Sequence, residues 1–491
     1  MEQSRESKLE DIFRQFSQDF GLYSVAQIAP SLLGIVAIML FTRVFPPVAY
    51  GRYALAMTFV GLLSTLGFGW IQQSITRFEP QLNEDELVEN VVSVFLVSGL
   101  LVAIVAAVGY VSFGDLLGGY RPFYLATAAL ILLQGAFRTL NVLFRIRLES
   151  GSFTKYKLFL GVTKLAFAVV LALFVFDSIV GWMWGHAVAL LLTVVFMARE
   201  SGVVGVSPRM QSTLLARFAQ YGFPMIGWLL GLTLLQFADR VLLEFLRGTS
   251  AVGVYSPNYS LVQRGLFLAF TPIGQAAQPL MMNAWDGTNS ERIRDLMTDF
   301  TRYLLVLGVP ATIFAAVMGR PLSTLLLADQ YREGYLIIPI VAPGLFLWNS
   351  ALIGHTGFEI EERTKVMFIG ISGAVVLNVV LNVPLITAYG YLGAAVATLV
   401  SFSSYTVFAY IASRWSIRWR PPTRTVRNTV AGGLVMGAPA AMLYVTGAYT
   451  LFRIFGAVGV GIVFYVLVLY ALGEFRSEEV STVTSLMRGL K

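Results

Sequence analysis

Residues 91–111 carry the sequence VVSVFLVSGLLVAIVAAVGYV, an apolar stretch of 21 residues without a charged side chain. A helix needs roughly 20 mostly apolar residues to cross about 30 Å of hydrocarbon. Similar stretches recur along the chain of 491 residues, of which 56% are hydrophobic and 13% charged, with a mean hydropathy of +0.71. Soluble domains carry about 25% charged residues, so this composition predicts an all-α polytopic membrane protein.

Apolar runs between charged residues or Gly- and Pro-marked breaks predict about fourteen transmembrane helices. They lie near residues 20–42, 53–76, 89–111, 122–144, 158–176, 179–198, 218–239, 254–283, 303–326, 335–357, 366–387, 391–413, 428–449 and 452–473. Before the first span, apolar residues at helical spacing with charges between them predict an amphipathic helix over residues 1–19 on the cytoplasmic membrane face.

Lysine and arginine are concentrated in the even-numbered connections and in both terminal segments, including five arginines between residues 414 and 427. Cytoplasmic connections carry an excess of these residues. The sequence therefore predicts a multi-pass protein of the cell (inner or plasma) membrane with both termini in the cytoplasm, and residues 475–491 form a cytoplasmic tail.

The two halves of the chain resemble each other at a constant offset of 202 residues. Gly51, Tyr53, Phe68, Ile71 and Gln73 match Gly253, Tyr255, Phe270, Ile273 and Gln275. Six spans separate the copies, so they share one orientation and form parallel repeats. We predict an N-lobe (20–200, spans 1–6), a C-lobe (213–415, spans 7–12) with a cleft between the lobes, and a terminal helix pair (428–474).

Several classes of chemistry are excluded or disfavoured by what the sequence lacks. It contains no cysteine, and no G-x-x-x-x-G-K-[ST] motif that would bind ATP for transport. No paired carboxylates, Ser/His/Asp set or metal-ligand spacing rises above background. We expect no enzymatic activity, no cofactor and no metal site, and the positive charge follows the membrane pattern rather than indicating nucleic acid.

Three stretches resemble one family of membrane proteins. They are Phe41-Thr-Arg-Val-Phe-Pro-Pro-Val-Ala-Tyr-Gly-Arg-Tyr53, then Tyr221-Gly-Phe-Pro224 with Asp239-Arg240 and Ala251-Val-Gly-Val-Tyr255, and finally Asn378, Asn382 and Pro384 with Tyr389-Gly-Tyr-Leu-Gly-Ala-Ala395. In this order and spacing they are similar to signatures of the polysaccharide (O-antigen, Wzx-type) lipid-linked oligosaccharide flippases of the MATE-like (MOP) superfamily. The resemblance implies two six-helix lobes in a V around a central cavity, plus two C-terminal helices.

The resemblance also implies a function. It is the flipping of a polyprenyl-(pyro)phosphate-linked oligosaccharide from the cytoplasmic to the outer leaflet by alternating access. The expected partners are the anionic phosphate headgroup of the lipid-linked glycan, membrane lipids and glycan-assembly enzymes, with the protein itself acting as a monomer. Two alternatives stay open, a MATE-type drug/cation antiporter and a membrane glycan polymerase or glycosyltransferase. Short outer loops argue against the polymerase, and the mostly positive intramembrane charges argue for an anionic cargo.

Arg264 is the first candidate for binding that anion. A charge at mid-bilayer costs about 2.5–3.5 kcal/mol on insertion scales, so its presence in span 8 needs a reason. Ser260, Thr271, Gln275 and Gln278 share its helical face, and a guanidinium can bind phosphate oxygens bidentately. The alternative is that Arg264 snorkels to the outer interface.

A second polar face is predicted in spans 4 and 5. Its members, spaced to align on their helices, are Gln134, Arg138, Asn141 and Arg145 in span 4 and Lys157 and Lys164 in span 5. Together they would form a basic wall that binds a lipid-pyrophosphate headgroup. The alternative is that Arg145 and Lys157 only anchor the spans at the lipid headgroups.

The remaining candidates are polar residues near the span ends. Gln27 gives span 1 a polar face and is a cavity candidate. Asp239, Arg240 and Arg43 are candidates for a gate or latch, in which Asp239 pairs with Arg264 or Arg43. Asn378 and Asn382, one turn apart, are predicted to form hydrogen bonds between helices.

Overall fold

A computed structural model describes residues 25–78, 83–147, 149–209, 211–285, 289–447, 450–476 and 479. The predicted amphipathic helix over residues 1–19 and all of the predicted tail except residues 475, 476 and 479 lie outside these described residues. Within the described ranges the chain is helical and contains no β-strand.

Fifteen helices account for the described chain, and their bounds follow the apolar runs of the sequence. They are α1 (Val25–Val44), α2 (Pro47–Phe78), α3 (Glu84–Phe113), α4 (Arg121–Ile146), α5 (Ser150–Val170), α6 (Ile179–Glu200), α7 (Ser212–Arg247), α8 (Thr249–Ala284), α9 (Ser290–Val317), α10 (Gly319–Leu326), α11 (Ile337–Ile360), α12 (Thr364–Tyr389), α13 (Tyr391–Ala412), α14 (Thr423–Thr446) and α15 (Leu451–Ala471).

Thirteen helical segments of the described chain are long and apolar enough to cross a membrane. The predicted all-α polytopic fold is therefore confirmed, with a span count close to the predicted fourteen. The predicted span that is missing from these thirteen is the eighth. Its helix, α8, has 36 residues and ample length, but it carries Asn258, Gln263 and Arg264 among its apolar side chains. This polarity indicates that one face of α8 does not meet lipid.

The described helices group into two compact units. Unit 1 comprises Met1–Pro257 and Met367–Thr398, and therefore holds α1–α7, the start of α8, α12 and the start of α13. Unit 2 comprises Asn258–Val366 and Leu399–Lys491, and holds the rest of α8 and α13 together with α9–α11, α14 and α15. The division into lobes at residues 20–200 and 213–415 stays a prediction.

Unit 1 contains a close crossing of the two repeats at a pair of equivalent glycines. A Cβ on Gly51 of α2 would clash with the carbonyl oxygen of Thr249, and a Cβ on Gly253 of α8 would clash with the carbonyl oxygen of Pro47. Pro47 and Thr249 differ by the same 202 residues as the two glycines, so the contacts are reciprocal. Only glycine at both positions lets the two backbones approach this closely.

A buried ionic cluster in unit 2 connects α9, α14 and the segment after α15. Arg302 of α9 donates from Nε to the Glu474 carboxylate at 3.1 Å and from a terminal nitrogen to the Glu479 carboxylate at 2.6 Å. Thr425 and Asn428 of α14 donate to the same Glu474 carboxylate at 2.6 and 2.8 Å. The hydrogen bond from Arg302 lowers the pKa of Glu479 to about 2. Because each buried charge has an opposite partner, the cluster fixes the segment after α15 against α9 and α14.

Candidate functional site

Arg264 lies in the part of the long helix α8 that belongs to unit 2. It follows Thr249, the first residue of the helix, by 15 residues, which is about 22 Å at about 1.5 Å per residue. Its side chain is half-buried and makes no hydrogen bond or ion pair with any residue that the structure describes. Arg264 therefore lies well inside the helix, and its role in binding an anion stays a prediction.

The other residues of the predicted α8 stripe have different environments. Thr271 is buried, whereas Gln278 is exposed and donates to the Glu359 carboxylate of α11 at 2.9 Å. The Gln275 side chain lies outside the described residues. Arg264 is thus the one member of the stripe that combines a full charge with depth in the helix.

The polar face of α4 lies in unit 1. Arg138 is half-buried and donates to the hydroxyl of Thr65 on α2 at 3.4 Å. Gln134 is half-buried, and Asn141 is buried with its amide donating to the carbonyl of Phe137 at 2.8 Å. Arg138 forms no ion pair within the part of the chain that the structure describes. It therefore supplies a second deep positive charge with no described carboxylate partner.

Two of the predicted basic residues are close together. Arg145 of α4 and Lys157 of α5 are near enough to repel each other electrostatically, and the Lys157 ammonium lies 4.5 Å from the ring centroid of Phe153. Lys164 lies about two turns further along α5 than Lys157. Its charge acts on His186 of α6. Two cations held near one another attract an anion, and the choice between a basic wall for the cargo and two lipid anchors stays open.

The polar candidates near the N-terminal end of the described chain show local bonding. Gln27 of α1 is half-buried, and its backbone carbonyl accepts a hydrogen bond from Ser31 at 2.9 Å. Arg43, at the other end of α1, is exposed and donates to the carbonyl of Met39 at 2.6 Å. Neither bond tests a role in binding or gating, so both residues stay candidates.

Asp239 is buried inside α7 rather than placed at its end, because the helix continues for eight residues to Arg247. Its carboxylate accepts hydrogen bonds from the Tyr255 hydroxyl, from the backbone N–H of Arg240 at 2.8 Å and from the Thr398 hydroxyl at 3.5 Å. Among the described residues, its hydrogen bonds do not come from Arg43 or Arg264. The Arg240 guanidinium, also buried, stacks over the ring of Phe237 at 4.9 Å.

The packing of α12 along α7 brings Asn378 to about the level of Asp239, with Asn382 one turn further along α12. Gly231 lies against Ile371, and Nε of Arg247 donates to the carbonyl of Ile386 at 3.1 Å. Asp239 is midway between Gly231 and Arg247 in the sequence, so its level on α12 is near residues 378–379. The register places Asn378 at about the level of Asp239, with no hydrogen bond between the two side chains among the described residues.

Asn378 and Asn382 are both buried, and their amides are incompletely satisfied. The amide nitrogen of Asn382 donates to the side-chain oxygen of Asn378 at 2.9 Å. The nitrogen of Asn378 and the oxygen of Asn382 find no hydrogen-bond partner in the described part of the chain. An unsatisfied buried polar atom costs about 1–3 kcal/mol, so these two atoms have unused capacity to bond a water molecule or an ion.

The donor set of this polar cluster suits a small, hard cation. Asp239 and Thr398 hold a carboxylate and a hydroxyl oxygen 3.5 Å apart, and Asn382 on α12 has an amide oxygen without a described partner. Oxygen ligands are those that hard cations prefer. A single carboxylate favours a weakly held monovalent ion over a tightly bound divalent one. The described residues contain no group of three or more His, Cys, Asp or Glu arranged to hold a metal. We refer to Asp239, Asn378, Asn382 and Thr398 as the α7–α12 polar cluster.

This cluster was only partly accessible from the sequence. Asp239, Asn378 and Asn382 stood out as polar residues in apolar helices, but they suggested a latch and interhelical bonds. Thr398 gave no signal, because a threonine in a spanning helix commonly bonds its own backbone. The cluster could have been predicted from the polar residues that spans 7, 11 and 12 carry at the same depth.

Comparison with known proteins places this architecture in a class. The fold is similar to "Lipid II flippase MurJ, inward closed conformation", with a TM-score of 0.77 at 14% identity over 91% of this chain and 97% of that one. It is also similar to an inward-facing multidrug resistance MATE family transporter of the MOP superfamily, with a TM-score of 0.58 at 11% identity over 81% and 93% of the two chains. The chain therefore has the fold of a MOP-superfamily membrane transporter.

Family models give the more particular assignment. The model described as "Polysaccharide biosynthesis protein" matches residues 16–285, and the model "Lipid II flippase MurJ" matches residues 158–469. Each match covers more than half of the chain, so the protein belongs to the polysaccharide biosynthesis flippase family of the MOP superfamily, which consists of transporters and not enzymes. "Probable flippase AglR" of Haloferax volcanii is 24% identical over 414 residues, covering 81% of this chain and 82% of that protein.

Proposed function

We propose that this flippase transfers a polyprenyl-(pyro)phosphate-linked oligosaccharide from the cytoplasmic to the outer leaflet by alternating access. The relatives support a lipid-linked cargo, since one similar fold belongs to a lipid II flippase and one similar sequence to a probable flippase. Sugars vary between such lipids, whereas the phosphate groups are constant. We therefore infer that the protein recognises the phosphate with fixed positive charges.

Arg264 is the observation that carries this proposal. It holds a full positive charge near the middle of α8, half-buried and without a described carboxylate partner. Its planar guanidinium donates in a fork that matches two phosphate oxygens. Arg138 and Lys164 in unit 1 supply further positive charge, and Gln134, Asn141, Gln275 and Gln27 supply hydrogen-bonding groups suited to phosphate or sugar hydroxyls.

We propose that the α7–α12 polar cluster couples transport to a sodium gradient. With no ATP-binding motif in the sequence, the energy must come from an ion gradient, the membrane potential or consumption of the product. The proposal is supported by a buried carboxylate that shares its level with Asn378 and accepts a hydrogen bond from Thr398, because sodium needs several oxygen ligands whereas a proton needs the carboxylate alone. The sequence predicts that Asp239 and Arg240 belong to a gate. In this proposal the sodium ion bound at Asp239 controls that gate.

A drug/cation antiporter stays the alternative, because buried Asp239 is also the kind of residue that such a protein needs. The two functions differ in cargo. An antiporter binds cationic amphiphiles, which Arg264 and Arg138 would repel, whereas a glycan flippase binds an anionic headgroup. A glycan polymerase has no supporting observation.

Purified protein reconstituted into vesicles provides the test of the proposed function. A fluorescent polyprenyl-diphosphate oligosaccharide should become accessible on the opposite leaflet faster than in protein-free vesicles. The rate should rise when an inward or outward sodium gradient is imposed alone. An uncharged prenyl alcohol carrying the same sugar should flip no faster than the background. Equal rates for the charged and uncharged lipids would overturn phosphate recognition, and transport of a cationic dye alone would establish the antiporter.

We also propose that the protein acts as a monomer in the cell membrane, with both termini in the cytoplasm, near glycan-assembly enzymes. The chain has no native cysteine, so single cysteines report topology directly. In intact cells an impermeant maleimide should label Asp115→Cys, between α3 and α4, and should label Ser207→Cys, between α6 and α7, only after permeabilisation. Both positions are exposed. The reverse pattern would contradict the orientation.

A further inference from the structure

The connection between α13 and α14 presents an unusually basic surface in unit 2. Its five arginines are all exposed: Arg414, Arg418, Arg420, Arg424 and Arg427. None of the five forms an ion pair with an Asp or Glu in the part of the chain that the structure describes. We call these five residues the arginine face. Arg424 donates to the backbone carbonyls of Leu472 and Gly473 at 3.2 and 3.0 Å, and five positive charges without a described carboxylate attract an anion.

The backbone beneath the arginine face is held in place. Ile417 and Trp419 are buried at 1% and 3% exposure. The indole N–H of Trp419 donates to the Thr301 hydroxyl at 2.9 Å, and its backbone N–H donates to the Ser413 hydroxyl at 3.1 Å. Burial of Trp419 turns its neighbours Arg418 and Arg420 outward together. The two guanidinium groups are therefore presented by a fixed backbone.

An exposed tryptophan marks where this surface meets the membrane. Trp415 is 70% exposed and directly follows Arg414, whose guanidinium lies 5.7 Å from the ring centroid of Tyr410. Tryptophan and tyrosine are enriched at the level of the lipid headgroups, where the ring is half in hydrocarbon and half in water. An exposed Trp415 beside Arg414 is the pattern expected where the end of a spanning helix meets the headgroup layer.

We propose that the arginine face is a binding site for anionic phospholipid headgroups. The charge complementarity decides the occupant, because clustered guanidiniums beside spanning helices bind acidic lipids and discriminate against zwitterionic ones. The site lies in a connection between spans, and its occupant is a resident lipid rather than the transported glycan. Its occupancy holds the ends of α13 and α14 at the membrane surface.

Lipid binding by the purified full-length protein tests this site without any measurement of flipping, so its outcome is separate from that of the proposed function. Phosphatidylglycerol and phosphatidylcholine are titrated against the protein and bound lipids are counted by native mass spectrometry. Wild type should bind phosphatidylglycerol preferentially. The double variant Arg418→Gln, Arg420→Gln should bind it roughly 20-fold more weakly, since each interfacial arginine contributes about fivefold.

Arg453→Gln is the matched control, because Arg453 is an exposed arginine beyond the opposite end of α14. It should leave phosphatidylglycerol binding unchanged. The variant Arg418→Lys, Arg420→Lys keeps the charges and should retain most of the binding. Wild-type affinity in the glutamine variant, an equal loss in Arg453→Gln, or equal binding of phosphatidylcholine would each overturn the proposal.

Discussion

An Asp239→Asn variant is expected to lose the stimulation of flipping by a sodium gradient, with an apparent sodium affinity at least about tenfold weaker. The change keeps the shape of the side chain and removes the carboxylate charge of the α7–α12 polar cluster. Interactions with a charged group are worth about 1.5–3 kcal/mol, which corresponds to roughly 10- to 150-fold in affinity. The measurement is the flipping rate in vesicles as a function of sodium concentration at constant ionic strength.

A binding readout that is independent of transport accompanies this prediction. A cation that binds only the folded state raises the melting temperature. Sodium should therefore stabilise the wild type in detergent relative to choline, and should not stabilise Asp239→Asn. Thr398→Val, which removes one oxygen of the cluster and keeps the side-chain volume, should weaken the sodium effect without abolishing it.

Arg240→Gln separates ion binding from a structural ion pair. If Asp239 served only to balance the charge of its neighbour Arg240, removing that positive charge would reproduce the Asp239→Asn defect. A cation site predicts the opposite, because losing a nearby positive charge favours sodium binding. Loss of sodium stimulation in Arg240→Gln, as in Asp239→Asn, would establish the structural ion pair instead, and sodium stimulation kept in Asp239→Asn would contradict the coupling proposal.

The fold was predictable because the bilayer imposes a strong local rule on the sequence. Each spanning helix must form all of its backbone hydrogen bonds internally and present apolar side chains to lipid. Its position can therefore be predicted from one continuous run of residues. The same rule explains why α8 is the one predicted span that is not apolar enough to count among the thirteen. Its polar residues reduce its hydropathy because part of its surface does not face lipid.

The polar sites were less predictable because their members come from distant parts of the chain. The Asp239 carboxylate meets Thr398, which is 159 residues away, and the level of Asn378 is set by the packing of α12 on α7. Arg302 and Glu474 are 172 residues apart and were not singled out, because each resembles an ordinary charge at a span end. Spacing within one helix predicts a face, but it does not predict which helix packs against that face.

The depth of Arg264 shows how a helix boundary changes a functional inference. The apolar run suggests that the span begins near residue 254, which puts Arg264 within snorkelling distance of the outer interface. The structure begins α8 at Thr249. The additional turn places Arg264 near the middle of α8 in the sequence, so its distance from a helix end is larger than the apolar run suggests.

Arg264→Ala is accordingly expected to reduce flipping of the lipid-linked oligosaccharide by about 10- to 100-fold, because it removes a charge-assisted contact with the phosphate. Arg264→Lys should retain part of the activity, since lysine keeps the charge but cannot form the bidentate contact. The flipping rates are measured at a cargo concentration well below saturation. There the rate falls in proportion to the loss of cargo affinity.

The control for this prediction is Gln263→Ala, because Gln263 is the half-buried neighbour on the same helix and points about 100° away around the helix axis. It should flip at the wild-type rate. Arg138→Gln, with the exposed Arg121→Gln as its control on α4, tests whether unit 1 contributes a second phosphate contact. Full activity in a folded Arg264→Ala protein would remove Arg264 from the mechanism. Full activity in the double variant Arg264→Ala, Arg138→Gln would refute recognition of the phosphate by deep arginines altogether.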